Sequence, residues 1–250
     1  MKRYVIIAGE TSGDQYGGQL MNSILSLNDD VAFWGIGGQD MLDSGLNQFE
    51  DIHNMAVMGF SEAIRKIPSM SILGKRISRF ICETKPHSVI LIDFPGFNLN
   101  LAKKIKILSP STRVDFFISP QIWAWNEQRI NTIKKNVDNM IVILPFEKMF
   151  YSKHGIKAKY VGHPFLDNWK PSNKKLLKKK LNLSLKKKVV GIFPGSRKQE
   201  LEKHFRIYLE VAQQLIKNKN IEFVVGLAPG FNEQEIRKYE AHLKKLVLHR

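Results

Sequence analysis

The chain has 250 residues, 43% hydrophobic and 25% charged, enough for one large domain or two modest ones. A single cysteine, Cys82, excludes an intramolecular disulfide, and the absence of a cysteine–histidine cluster predicts a reduced, cytoplasmic setting without a metal. The net charge of +16 suits an anionic partner (nucleic acid, phosphorylated metabolites or acidic lipid headgroups) or simply reports a lysine-rich proteome.

The N-terminal MKRYVIIAGE has an apolar stretch that stops at Gly9 and Glu10, too soon for a secretory core, so RYVIIA (3–8) reads as a first strand. No stretch approaches the roughly 20 apolar residues of a membrane helix. Residues 13–27 carry apolar side chains at helical spacing, and VAFWGI (31–36) reads as a strand. Residues 69–83 read as a helix ending before Lys85-Pro86. SVILID (88–93), a helix through 100–108, RVDFFIS (113–119), a helix over 127–136 and NMIVILP (139–145) follow. Strands alternating with helices across short loops predict an α/β fold with a parallel sheet covered on both faces. After Trp169, KPSNKKLLKKKLNLSLKKK (170–188) is rich in lysine and free of acid, which reads as solvated surface and as a connection or first helix between domains. VVGIFPGS (189–196) opens a second strand–turn–helix unit, with EFVVGLA (222–228) as its next strand and 233–246 as a helix. The predicted division is 1–169, a 170–188 connection, and 189–250 as the start of a second, incomplete domain.

Four stretches have the residues for chemistry. AGETSGD (8–14) follows the first strand; its glycines allow a close backbone approach, and Thr11 or Ser12 can cap a helix starting near Asp14. That serves either an anion at a helix N-terminus or a well-capped turn. DFPGFN begins at Asp93, a carboxylate at the carboxyl end of an aliphatic strand. It can accept a proton from a substrate hydroxyl or satisfy N–H groups in the Pro-Gly turn, while Asn98 can cap the next helix or bind a sugar. FPGSRKQE (193–200) sets Arg197 in a first helical turn, where a cation opposes the dipole and makes more sense beside an anion such as a diphosphate, the alternative being a surface arginine on a well-capped helix. Ser196 caps that helix and Glu200 suits a capping box. In SPQIWAWNEQR (119–129), Trp123 and Trp125 serve core or interface packing, or else line an acyl or sugar pocket that Arg129 faces. AVMGFSEAIRKIP (56–68) reads as an apolar, lipid-contacting loop, and His163 in GHP falls near the presumed hinge.

Seven stretches in order, AGETSGD (8–14), AVMGFSE (56–62), LIDFPGFN (91–98), SPQIWAW (119–125), LPFEKMFY (144–151), VGHPF (161–165) and FPGSR (193–197), resemble the lipid-A-disaccharide synthases, which are glycosyltransferases of the GT-B type with two Rossmann-like domains. The resemblance implies transfer of 2,3-diacylglucosamine from its UDP derivative to 2,3-diacylglucosamine 1-phosphate (lipid X), with inversion, no cofactor and release of UDP. It implies Asp93 as the base. It implies Gly9, Glu10, Thr11, Ser12, Gly13, Asp14, Met58, Gly59, Asn98, Trp123 and Arg129 as substrate-binding, with the 9–13 loop on the acceptor side, and Gly195, Ser196 and Arg197 as binding the UDP diphosphate. The family works peripherally on the cytoplasmic face of an anionic inner membrane, with no nucleic acid. Gly96 stands where some members have Asp, so only Asp93 is carried over. Family members continue well past position 250, so the Ser-Gly-Thr-Ala-type loop and closing helix of their second domain are expected to lie outside this chain. The alternatives are another GT-B sugar-nucleotide enzyme, namely a peptidoglycan N-acetylglucosaminyltransferase or an epimerase, or a basic lipid- or nucleic-acid-binding fragment.

Overall fold

The computed structural model describes residues 1–55, 60–196, 198–215, 217, 220–228 and 247–249. The chain divides into two compact units, Met1–Trp169 and Lys170–Arg250.

In the first unit, β1 (Lys2–Ala8), β2 (Val31–Gly37), β3 (Leu46–Asp51), β4 (Ser88–Ile92), β5 (Val114–Phe117), β6 (Asn139–Val142) and β7 (Ala158–Tyr160) form one sheet in the order β3-β2-β1-β4-β5-β6-β7. Every pairing is parallel. Side chains alternate across a strand, so each central strand feeds two cores. Val5, Ile7, Val89 and Leu91 pack with Ile77 and Ile81 of α4 (Phe60–Thr84) and with Leu101, Ala102 and Ile105 of α5 (Pro95–Leu108). Ile6, Ala8, Ile90 and Ile92 pack in the other core, with Met21 of α1 (Thr11–Leu27) and Met41 of α2 (Gln39–Asp43). Burial on both faces explains why SVILI is uninterrupted aliphatic after its serine. The chain winds outward from β1 through β2 to β3, then returns to place β4 on the other side of β1. That reversal makes the carboxyl ends of β1 and β4 the topological switch point, where such sheets bind ligands.

Several local expectations change. The first helix begins at Thr11, not near Asp14; Glu10 is the N-cap residue, without a side-chain cap bond, so neither Thr11 nor Ser12 caps it. Of the lipid-contacting loop, 56–59 lie outside the described residues, and 60–68 form the start of α4, which contains Pro68. The edge strands β3 and β7 do not advertise themselves: LNQFED has one buried position, and β7 is three residues long. Short, polar edges are a common protection against unwanted pairing. Asn47 Nδ2 and Gln48 Nε2 fasten β3 by donating to the carbonyls of Phe33 and Gly37, at 2.9 and 2.8 Å.

Asp14 has a structural task. Its buried carboxylate accepts N–H groups of Gly38 at 2.6 Å, Met41 at 3.1 Å and Asp40 at 3.1 Å, tying α1 to the start of α2. Asp14→Ala leaves those donors without the acceptor, and we expect it to cost about 2–3 kcal/mol in urea unfolding. A loss below about 0.5 kcal/mol would show that the N–H groups find other partners.

The second unit has β8 (Lys188–Ile192), β9 (Ile221–Gly226) and β10 (Val247–His249), all parallel, in the order β10-β9-β8. Among the described residues this unit therefore has a three-stranded parallel sheet. Leu248 and His249 thus belong to a strand, while the helix expected over 233–246 lies outside the described residues. In α11 (Lys198–Leu215), Leu201, Phe205, Leu209 and Ala212 form the apolar stripe against Ile192, Phe223 and Val225. The lysine-rich stretch folds within this unit as α10 (Lys174–Lys180), capped by Asn173 Oδ1, which accepts from Lys175 and Leu176 N–H at 3.0 and 3.2 Å. It is not all solvated surface: Lys178 is buried, and its ammonium donates to the carbonyls of Ser184, Leu185 and Lys187. Among the described residues no helix is long and apolar enough to cross a membrane.

Candidate active site

At the switch point the chain makes two sharp turns. β1 ends at Ala8 and passes through Gly9 and Glu10 directly into α1. β4 ends at Ile92, and Asp93 and Phe94 then both adopt left-handed backbone, with φ 44 and 46°. Left-handed conformation costs a non-glycine residue roughly 1–2 kcal/mol. Three features hold it. Pro95 disfavours a right-handed helical conformation in the residue before it. Asp93 N–H donates to the Phe117 carbonyl at 3.0 Å, securing the turn to β5. Asn98 Nδ2 donates to the carbonyls of Asp93 at 2.8 Å and Ile92 at 3.2 Å.

Asn98 is fully buried, and its Oδ1 is buried without a hydrogen-bond partner. It does not cap α5, whose N-cap is Phe94, and its amide acts as a clamp behind the carboxylate. The Phe94 ring lies over Gly9 so closely that a β-carbon there would stand 2.3 Å from ring atoms. Gly9 is needed for this approach, not for an unusual φ.

The Asp93 carboxyl is pushed up to about 6, chiefly by burial and then by the negative charge of Glu10. A hydrogen bond from the Phe94 backbone opposes the shift, and Glu147 adds to it. A carboxylate with this value is mostly ionised at neutral pH yet a far better proton acceptor than an ordinary aspartate. The contrast with Asp115 at the amino end of the sheet is informative. That carboxylate is consumed by Ser88 Oγ at 2.5 Å, Asn139 Nδ2 at 2.6 Å and Arg113 Nε at 3.0 Å, an arrangement that stitches strands together.

Sequence reasoning missed Glu147. It is buried in α8 (Pro145–Lys153), where Oε2 accepts Leu144 N–H at 2.9 Å and Oε1 accepts Trp123 Nε1–H at 3.3 Å. Pro145 followed two residues later by Glu147 was a legible helix-start signal. Next to it, the buried Tyr151 hydroxyl and Ser119 Oγ share a 2.7 Å hydrogen bond. Burial, with opposition from Ser119 and a smaller push from Glu147, raises the Tyr151 phenol to about 12, so it stays protonated and neutral.

The other predicted residues sort by position. Glu10, Thr11 and Ser12 are exposed at the start of α1, while Gly13 is buried against Ala8. Trp123 belongs to the short helix α6 (Ile122–Trp125) and meets Phe146 edge to face at 4.8 Å. Arg129 stacks over exposed Trp125, with its guanidinium carbon 5.1 Å from the ring centre. His163 Nδ1 accepts Phe165 N–H at 3.2 Å, and its ring lies against Tyr16, which accounts for it locally. Met58 and Gly59 lie outside the described residues, as does Arg197. In the second unit, Gly195 has φ 115°, and Ser196 N–H donates to Glu200 Oε2 at 2.9 Å, four residues on, which is not the three-residue spacing of the expected capping box with Ser196 as cap.

A family model described as lipid-A-disaccharide synthetase matches residues 4–249. The lipid-A-disaccharide synthase of Geobacter sulfurreducens is 37% identical over 236 residues, covering 94% of this chain and 61% of that protein. The lipid-A-disaccharide synthase of Myxococcus xanthus is 36% identical over 236 residues, again 94% of this chain and 61% of that protein. The chain thus spans about three fifths of the length of the curated relatives it matches. Among solved structures, a UDP-GlcNAc 2-epimerase from Neisseria meningitidis bound to UDP-GlcNAc aligns with a TM-score of 0.64 at 14% identity, covering 99% of this chain and 72% of that one. A putative UDP-N-acetylglucosamine 2-epimerase from Listeria monocytogenes aligns with a TM-score of 0.65 at 12% identity, covering 99% and 68%. These likenesses show a shared fold. The match over nearly every residue, joined to this switch-point architecture, shows that the chain belongs to the lipid-A-disaccharide synthetase family.

Proposed function

We propose that the chain carries the acceptor side, and the beginning of the donor side, of an inverting transferase that joins UDP-2,3-diacylglucosamine to 2,3-diacylglucosamine 1-phosphate. The observation that supports this most is the Asp93 carboxyl, raised to about 6 at the switch point of the first sheet. In the reaction the acceptor 6-hydroxyl oxygen bonds to the donor's anomeric carbon. The hydroxyl proton passes to Asp93, and the bond to UDP breaks with its electron pair leaving on the diphosphate. Attack opposite the leaving group turns an α-linked donor into a β-linked product.

Arg197 and the N–H groups around Gly195 and Ser196 are assigned to the diphosphate, where fixed donors are typically worth a few kcal/mol each. The turn at 9–13 shapes the acceptor side, with Glu10 serving to raise Asp93 and Asp14 to hold the scaffold. Trp123 and Arg129 flank it, and Met58 and Gly59 meet the acyl region. The chain works peripherally on an anionic cytoplasmic membrane face, where a basic surface suits the lipid headgroups. The family match favours this reaction over a peptidoglycan transferase, an epimerase or a binding fragment.

The test is UDP release from UDP-2,3-diacylglucosamine with and without lipid X. It is run on this chain and on a chimera in which the chain replaces the matching part of the Geobacter sulfurreducens relative. Acceptor-dependent UDP release by either form, lost in Arg197→Ala, is expected. A folded chimera that binds UDP and yields no disaccharide would overturn the assignment.

A further inference from the structure

We infer that the outer faces of α6 and α8 form a subsite for one anionic amphiphile, with its acyl chain along Trp123, Phe146 and Met149 and its phosphate at Lys148 and Lys153. The subsite deepens the proposed function, on which it rests for the identity of the amphiphile, since lipid X carries both acyl chains and a phosphate. Binding of an anionic amphiphile at this face does not depend on which reaction the chain serves.

The inner face of α8 is fully used, with Glu147 and Tyr151 buried. Its outer face leaves Phe146 43% and Met149 62% exposed, three residues apart and so neighbours on the helix surface. Trp123 extends this strip from α6 through its edge-to-face contact with Phe146. The indole is not loose: Trp123 Nε1 is bonded to Glu147 Oε1, which fixes the strip to the beginning of α8. Glu147 also raises the Asp93 carboxyl, so the strip and the proposed base share the carboxyl end of the sheet.

Beside the strip is a trough of about 400 Å³ lined by Pro145, Lys148, Met149, Ser152 and Lys153. Its chemistry is asymmetric: it has apolar surface, a hydroxyl and two lysines, and its lining contains no acid. Lysine stems extend apolar surface while their ammonium ends stay in water. An alkyl chain alone would not use those charges, and a free phosphate would not use the strip. An amphiphile with both parts uses the whole surface.

The probe is 12-bromododecyl phosphate below its micelle concentration, because bromine quenches tryptophan fluorescence on contact. The chain should show saturable quenching. Met149→Asp, at an exposed position that leaves the thermal unfolding midpoint unchanged, should weaken it at least roughly tenfold, a change that corresponds to about 1.4 kcal/mol. Trp123→Phe should remove most of the quenched signal. The double substitution Lys148→Gln/Lys153→Gln should weaken the phosphate probe at least threefold and leave 12-bromododecanol unchanged. Lys103→Gln/Lys135→Gln, with the same charge loss elsewhere, should affect neither. Quenching that survives Met149→Asp, or an equal loss in the control pair, overturns the subsite. Transferase activity without saturable quenching keeps the proposed function and removes the subsite; quenching in a chimera that makes no disaccharide does the reverse.

Discussion

Asp93→Asn should slow transfer by about two to four decades and, at the same time, make the protein more stable at neutral pH. Loss of a positioned general base typically costs two to four decades in rate, and that is the expected fall in kcat for the form that turns over. The stability gain follows from the same burial. The Asp93 carboxyl has a native value of about 6 against 3.8 for a free aspartate. Between those values the native state holds more of the proton than the unfolded state, so stability falls as pH rises through that window and stays lower above it. Asparagine removes the charge, keeps the shape, and tolerates left-handed backbone. Urea unfolding at pH 7 should show a gain on the order of 2 kcal/mol that disappears below about pH 4. The parent's kcat/KM should fall on the acid side with an inflection near 6. If Asp93→Asn is less stable than the parent at pH 7, burial and neighbouring charge are not what raise this carboxyl.

The same paired features govern what could be read in advance. The strands at the centre of the first sheet were legible because both their faces are buried, which leaves little room for polar residues between Ser88 and Ile92. The edges were not, since β3 carries Asn47 and Gln48 as side-chain fasteners and looks like a loop. The placement of Asp93 at a strand end was legible from its position after SVILI. Its two-residue left-handed turn was not, because nothing in Asp-Phe requires positive φ; Asn98, five residues on, supplies the support from beneath. Composition described the lysine stretch well in aggregate but could not single out Lys178, whose ammonium is satisfied by carbonyls from the loop after its own helix. Glu147 was overlooked for a related reason. Its signal is a helix start, and only the tertiary fold shows that its charge acts on Asp93.

Gly9→Ala should be the most disruptive single methyl in the candidate site, and Phe94 should be the reason. The added carbon would lie 2.3 Å from Cγ and Cδ1 of the Phe94 ring, closer than any real contact. The ring packs against the core and lies 6.2 Å from the Phe97 ring, so turning it away would give up those contacts, and its backbone is held too. Its backbone is in the left-handed region, Pro95 follows it, and Asn98 N–H donates to its carbonyl at 3.1 Å. Relief therefore has to come from moving the whole Asp93–Phe94 turn or the β1–α1 turn. Overpacking of this kind costs about 1–3 kcal/mol in stability. A displacement of about 1 Å at the carboxylate can remove a further two decades of rate. Phe94→Ala alone should be milder, since it leaves a gap over Gly9 without pushing on the backbone. The pair should then be strongly non-additive: Gly9→Ala/Phe94→Ala should recover more than about 1 kcal/mol relative to the sum of the single changes, and part of the lost kcat with it. Such coupling would mean that the two turns at the switch point act as one part, so that the acceptor loop and the base move together. Strict additivity in both urea midpoint and kcat would mean that the methyl is absorbed locally and that the two turns are independent.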